Sequence, residues 1–259
     1  MGYKNGLMSN PVPLPEALND ADFGEDYYRH HVGRPYRKDE VWLRFFTPIA
    51  DLIVQGIGPR RVLDAGCGPG LLVELLRERG VEAYGCDFSS YAIAHVPDPV
   101  RPYCWRASVA DELRDDYDLI VCQEVFPHVM PADADRAIAN FCRHSPDVLF
   151  SSPLTVEPSV RRHVNFSTPG HYARVFATCG FYRDFGFDAS VMTPWAVRFR
   201  GLPAGAPDAI AEYEDRFWSE RLREDAVKQE LAASRQRIAD MERSWFWRLR
   251  RPWSTFTGR

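Results

Sequence analysis

From Asp39 to Ile57 the apolar residues Val41, Trp42, Phe45, Phe46, Ile49, Ile53 and Ile57 recur every three or four positions, the period of an amphipathic helix that ends at Gly58-Pro59. Beyond it, short β-branched runs alternate with helical segments, the pattern of a parallel sheet wrapped by helices on both faces. Seven strands are predicted, at Arg61–Ala65, Glu82–Cys86, Pro102–Arg106, Tyr117–Gln123, Asp147–Ser152, Tyr182–Phe187 and Pro194–Arg200. Helices are predicted at Gly70–Arg79, Ser90–Val96, Ala132–His144 and Gly170–Cys179, with a long loop at Leu154–Thr168. The fold class read from this order is doubly wound α/β with a C-terminal helical extension.

Both ends differ from the centre. The proline-bearing stretch 1–24 carries neither period and reads as a mobile arm, so the α/β domain is placed at 25–203. After the run Gly201-Leu-Pro-Ala-Gly-Ala-Pro, residues 204–259 turn to charged helix formers. Within them Ile210, Tyr213, Phe217, Glu220, Glu224, Val227, Leu231, Ser234, Ile238, Met241 and Trp245 follow a four-three spacing. That is a coiled-coil seam with polar breaks, suited to self-association or to docking on a partner. The tip SWFWRLRRPW adds tryptophans and the arginines Arg248, Arg250 and Arg251, a mixture that can touch an anionic membrane surface.

The chemistry sits in RVLDAGCGPG, where an apolar strand runs straight into Gly66-Cys67-Gly68-Pro69-Gly70 and then into a helix. A strand that turns at once into a helix needs glycine backbone, and bare backbone lets a ligand lie against the helix N-terminus. Asp87 ends the next predicted strand, in EAYGCDFSS, where a carboxylate can accept both hydroxyls of a ribose lying over the loop. Phe88 beside it offers a face for a nucleobase. A dinucleotide dehydrogenase shares this plan, but the third glycine of G-x-G-x-x-G, counted from Gly66, falls on Leu71.

VLDAGCGPG, Asp87 and the later DLIVCQEVFPHV resemble the successive signature segments of class I S-adenosylmethionine-dependent methyltransferases, over roughly Tyr28 to Arg200. The resemblance implies a Rossmann-like, seven-stranded, mostly parallel sheet with its last strand antiparallel. The cofactor it implies is S-adenosyl-L-methionine. Carried over by position, Asp64, Gly66, Cys67 and Gly68 would meet the methionine end, Asp87 the ribose, Ser108 and Val109 the adenine edge, and Gln123 the region of the sulfonium. Tyr28, Tyr36 and Arg37, ahead of the first helix, are the implied lid; packing of the tyrosines on the sheet edge is the competing reading. One departure stands out: many relatives carry an acidic residue before the histidine of the fourth segment, where this chain has Pro127. The core, the H-V-N loop and the charged tail ending S-W-x-W-R-L together resemble methyltransferases found with bacterial glycosyltransferases, in surface-polysaccharide or glycosylated natural-product pathways.

For a hydroxyl acceptor such an enzyme needs a base. His163 in RRHVNFSTPGHY and, failing that, His128 after the fourth strand are the catalytic candidates, with Asn165 and Tyr172 on the substrate side. Glu124 reads as a structural strand-end residue, and the thiols of Cys67 and Cys122 as packing. The pair His30-His31 lacks a matching carboxylate or cysteine cluster, so no metal is expected.

Composition narrows the partners. A formal net charge of -4 over 259 residues argues against nucleic acid. No apolar run of membrane-span length occurs, and the opening segment lacks the apolar core of a signal peptide, so a cytoplasmic location is expected. Six scattered cysteines fit neither a zinc site nor a disulfide scaffold. The reading is methyl transfer to a small-molecule acceptor such as a sugar hydroxyl. A non-catalytic cofactor-binding or scaffold protein, and an NAD-dependent oxidoreductase, remain as alternatives.

Overall fold

The computed structural model describes residues 18–30, 34–153, 162–202 and 207–243. The chain separates into two compact units, Met1–Ala204 and Gly205–Arg259.

In the first unit, a short 3-10 turn at Asp20–Phe23 and helix α1 (Glu25–His30) precede α2 (Glu40–Leu52), β1 (Arg61–Ala65), α3 (Leu71–Glu78), β2 (Glu82–Asp87), α4 (Ser90–Ala94) and β3 (Cys104–Arg106). Then come β4 (Leu119–Gln123), α5 (Pro131–His144), β5 (Asp147–Ser151), α6 (Pro169–Thr178), β6 (Phe181–Arg183) and β7 (Val197–Gly201). The strands form one sheet in the order β3-β2-β1-β4-β5-β7-β6. β7 runs antiparallel to both β5 and β6, while the pairs from β3 to β5 are parallel. The chain is therefore a seven-stranded, mostly parallel, Rossmann-like sheet.

Alternation along each strand builds the two faces. Val62 and Val121 point toward α2 and α3, where Ile49, Ile53, Leu72 and Leu76 close one core. Leu63 and Ile120, their immediate neighbours in the strands, join Phe126, Ile138, Phe141 and Phe176 in the other. Both faces of the central strands are apolar because both are covered, as a parallel sheet requires.

Several boundaries differ from the sequence pattern for local reasons. Pro102 starts a 3-10 turn at Arg101–Tyr103, which shortens the third strand to Cys104–Arg106. The sixth strand stops at Arg183 because Asp184 turns the chain, its Oδ1 accepting the Gly186 N–H at 3.0 Å. A turn closed by the Ala196 N–H on the Thr193 carbonyl delays the seventh strand to Val197. The first helix ends in a π turn, Ile53–Ile57, capped by Gly58 in the left-handed region. Asp20–Phe23, inside the stretch expected to be a mobile arm, is a capped turn: Asn19 Oδ1 accepts the Ala21 N–H, and Asp22 bonds back to the Asn19 N–H. Residues 1–17 lie outside the described part.

The second unit contains α7, Pro207–Arg243, a single helix of 37 residues. Leu222, Val227, Leu231, Ile238 and Met241 are exposed along it. Trp245 and the arginines at its tip lie outside the described residues. No described helix is long and apolar enough to cross a membrane.

Candidate active site

The carboxyl ends of β1, β2, β4 and β5 open into a cavity of about 470 Å³. Ligands of open α/β sheets bind at this edge, where the strands stop and the loops diverge.

The floor is the loop between β1 and α3. Gly66 stands at φ 90°, and its N–H donates to the Cys86 carbonyl at 2.7 Å. A Cβ there would lie 2.2 Å from Val125 Cγ2, so only glycine lets the loop after β4 rest on the loop after β1. Gly68, at φ 52°, turns its N–H onto Asp87 Oδ2 at 2.8 Å, and the Ser89 N–H donates to Oδ1 of the same carboxylate at 2.8 Å. Leu71, where a dinucleotide loop needs glycine, is a buried core residue at the start of α3.

Two carboxylates share this floor. Burial pushes Asp64 up to about 7, and the charge of Asp87 adds to the effect. Burial also raises Asp87, against the N–H groups of Ser89 and Gly68 that favour its ionised form. Asp64 takes no hydrogen bond from a described residue, and no arginine or lysine is among the described residues lining the cavity. Two buried acids with no basic residue beside them in the described lining make a place for a cation. Gln123 Oε1, at the end of β4, is a buried acceptor with no partner among the described residues. An ammonium group on Asp64, a ribose on the remaining lone pairs of Asp87 and a sulfonium facing Gln123 match this set of acceptors, so the residues present fit S-adenosylmethionine.

The side walls hold the other expected contacts. Ser108 and Val109 line the cavity beyond β3, where the Ser108 N–H donates to Asp111 Oδ2 at 2.9 Å and its Oγ accepts from the Ala110 N–H. Phe88 is 39% exposed and meets Phe23 edge to face at 6.3 Å. The Cys67 thiol is 3% exposed beneath Gly85; its hydrogen bond with Cys104 and its burial hold it well above the usual thiol range. Cys122 is likewise raised by burial, so both thiols stay protonated and serve packing.

The roof comes from the N-terminal segment. Tyr28 stacks on Tyr91 at 5.7 Å and lies over Gly68, while the Tyr36 N–H donates to the Tyr28 carbonyl at 2.7 Å. Ser90 Oγ donates to Asp20 at 2.6 Å, and Ser89 Oγ to the Phe23 carbonyl at 2.6 Å. At the other rim Arg162 donates to the Asp22 carbonyl and to Asp26. Burial drives the Tyr27, Tyr28 and Tyr36 hydroxyls above their ordinary range, so none of the three ionises near neutrality.

On the acceptor side His128 and His163 both line the cavity, ring centroids 5.4 Å apart. His128 Nδ1 donates to the Arg162 carbonyl at 2.7 Å, which leaves Nε2 as the basic nitrogen, 3.5 Å from the Tyr27 hydroxyl. His163 Nδ1 is buried without a partner among the described residues.

Three expected residues stand elsewhere. Arg37 is exposed, pairs with Asp39 at 3.5 Å, and borders a separate, smaller hollow. Tyr172 is 3% exposed and packs edge to face on Phe126 and Phe150, in the core. Asn165 is buried and shapes its loop, Oδ1 accepting the Ser167 N–H at 3.0 Å. Among the described residues no cluster of histidine, cysteine or carboxylate could hold a metal; His30 bonds Asp26 at 3.3 Å, and His31 lies outside the described part. Trp42, Phe45 and Phe46, by contrast, line the cavity although their spacing marks them only as a helix face turned to the core. Periodicity finds an apolar face but does not say whether protein or ligand covers it.

Residues 28–182 match the model of a methyltransferase domain. Over 106 residues the chain is 35% identical to a ubiquinone biosynthesis O-methyltransferase of Alkalilimnicola ehrlichii, a stretch that is 38% of this chain and 43% of that protein. Over 111 residues it is 29% identical to its counterpart in Nitrosomonas europaea, 39% of this chain and 47% of that protein. The chain thus spans under half the length of these curated relatives. The fold matches a magnesium protoporphyrin IX methyltransferase (ChlM) from Synechocystis solved with bound SAH, at TM-score 0.52 and 17% identity, covering 70% of this chain and 95% of that one. It also matches CalS10, an amino pentose methyltransferase of Micromonospora echinaspora, at TM-score 0.51 and 14% identity, covering 62% and 92%. The chain belongs to the S-adenosylmethionine-dependent methyltransferase domain family.

Proposed function

We propose that the protein transfers a methyl group from S-adenosylmethionine to a hydroxyl oxygen of a small molecule, with His128 taking the proton. The observation that carries this reading is the pinned imidazole: a backbone carbonyl holds His128 Nδ1–H, so Nε2 is the acceptor nitrogen, in a cavity that the two buried acids also line.

The cofactor supplies an electrophilic methyl on a sulfonium. Asp64, Gly66, Gly68, Asp87, Ser108, Val109 and Gln123 hold it at the strand ends. Tyr28, Tyr36 and the segment at Asp20–Phe23 exclude water above it, which matters because alignment and a dry site supply most of what such a displacement needs. His128 Nε2 accepts the acceptor's hydroxyl proton, and the Arg162 carbonyl steadies the imidazolium that results. His163 stands next to it as a polar contact for the acceptor. The ubiquinone O-methyltransferases matched over the core favour an oxygen acceptor. The sugar reading rests on the sequence resemblance to glycosylation-pathway enzymes.

The test is single-turnover methyl transfer at saturating cofactor to a panel of glycosides and phenols, comparing His128→Ala and His163→Ala with the parent. His128→Ala is expected to slow the step by about 10² to 10⁴ and His163→Ala by less. Parental rates in a folded, cofactor-binding His128→Ala protein would remove histidine from the role of base.

A further inference from the structure

Glu124 does not fit a purely structural role. It follows the last residue of β4, lines the cavity, and has φ 57°, the left-handed region, where among the described residues only glycines otherwise stand. A side chain held there is strained, and the surroundings over-determine it. The Ser151 hydroxyl and the Trp195 indole N–H, the latter at 2.9 Å, both donate to Oε1. The Thr193 hydroxyl stands 3.0 Å from Ser151 Oγ and completes the brace. Oε2 takes no hydrogen bond from any described residue. One oxygen is thus fixed by neutral donors from β5 and from the turn before β7, and the other is left with its acceptor capacity.

The charges around the acceptor end point the same way. Asp133 lines the wall with Glu124. Arg136 is engaged by Asp133 and the Ala110 carbonyl, and Arg162 by the Asp22 carbonyl and Asp26; neither is among the described residues lining the cavity. Phe23, Tyr27, Trp42 and Phe45 add aromatic rings to the same lining. A phosphate or carboxylate placed there would face anions with no free cation among the described residues; a hydroxyl or an ammonium would find an acceptor already oriented.

We propose that Glu124 is a specificity-determining residue whose free carboxylate oxygen accepts a hydrogen bond from the methyl acceptor, and that this acceptor is an uncharged or ammonium-bearing polyol without phosphate or carboxylate. The inference rests on the methyl transfer proposed above. Ser151 and Trp195 are positioning residues that aim the carboxylate.

The experiment incubates the full chain with methyl-labelled S-adenosylmethionine and a metabolite extract of the cells that make it, then separates labelled products on anion and cation exchangers at pH 7. Labelled species other than S-adenosylmethionine itself, absent from a parallel incubation without the protein, are expected to pass the anion exchanger or bind the cation exchanger. Glu124→Gln keeps a carbonyl oxygen for Ser151 and Trp195 but replaces the free acceptor by a donor. It should cut the initial rate of labelling by about ten- to a hundredfold while cofactor affinity stays within about twofold of the parent. Trp195→Phe, a second variant that unpins Oε1, should cut it by a smaller factor. Label held on the anion exchanger, or labelling undiminished in Glu124→Gln, overturns the inference and leaves methyl transfer standing. Cofactor binding with no label in any species other than S-adenosylmethionine contradicts methyl transfer itself, and the Glu124 assignment falls with it.

Discussion

Asp87 and Gly68 are joined across the mouth of the sheet: Asp87 Oδ2 accepts the Gly68 N–H at 2.8 Å, so the carboxylate that ends β2 also shapes the glycine loop that follows β1. Asp87→Ala removes the proposed ribose acceptor and the loop's anchor together. The expected loss of cofactor affinity is at least tenfold, from a charge-assisted hydrogen bond worth about 1.5 to 3 kcal/mol. Asp87→Asn, which keeps a carbonyl acceptor, should lose less. Calorimetry with S-adenosylmethionine on both variants measures the difference, and equal affinities in Asp87→Ala and parent would refute the ribose assignment.

Asp64 gives the site a pH dependence. Burial and Asp87 raise it to about 7, whereas a cation binds best to its ionised form. Cofactor affinity should therefore weaken as pH falls below about 7, by up to about tenfold per unit. Asp64→Asn should bind more weakly at pH 8 and show a flat profile from pH 5.5 to 7. Stability of the ligand-free protein moves the other way. Between the ordinary value of 3.8 and about 7 the folded state keeps a proton that the unfolded chain has released, so this group's contribution falls as pH rises through that window. Thermal melts of the parent and Asp64→Asn across pH 4 to 8 read it directly.

Gly66→Ala tests the contact between two loops. A Cβ would meet Val125 Cγ2 at 2.2 Å, and φ 90° is itself costly for alanine. The expected destabilisation is about 2 to 4 kcal/mol from strain and overpacking together. Val125→Ala in the same chain should recover part of it, because the clash is relieved and the backbone strain remains. A melt of the single variant matching the parent would show that the loops do not touch.

How far the sequence carries depends on whether a residue's role is local. RVLDAGCGPG and the acid at 87 are local signals, since strand, turn and helix follow one another in the chain, whereas the β1–β4 pairing that brings Val125 onto Gly66 is not fixed by the β-α alternation. The acceptor wall is not local. Phe23, Tyr27, Phe45, Glu124 and His163 come from distant segments, and no spacing announces that they meet. Tyr172 shows the opposite error: a polar aromatic residue after an H-V-N loop reads as a substrate contact, yet the phenylalanines Phe126 and Phe150 enclose it in the core. Arg37 sits two residues before the helix cap Asp39, and its ion pair there turns it away from the cavity.

The tail should act apart from the cofactor site, because the described residues lining the cavity all belong to the first unit. A chain ended at Ala204 is expected to bind S-adenosylmethionine within about twofold of the full chain. Val227, Leu231, Ile238 and Met241 remain exposed along a helix about 55 Å long. The full chain should therefore self-associate with rising concentration, and the shortened one should not. Light scattering across a concentration series decides this; the same mass for both chains at every concentration would leave the seam without a role in assembly.

The most direct test of the account is a calorimetric titration of the full chain with S-adenosylmethionine, set beside NAD and beside the Asp87→Ala variant. One site for S-adenosylmethionine, weakened at least about tenfold by Asp87→Ala and with no heat from NAD, is the result predicted. No binding of S-adenosylmethionine by the folded protein, or NAD bound as tightly, would contradict it.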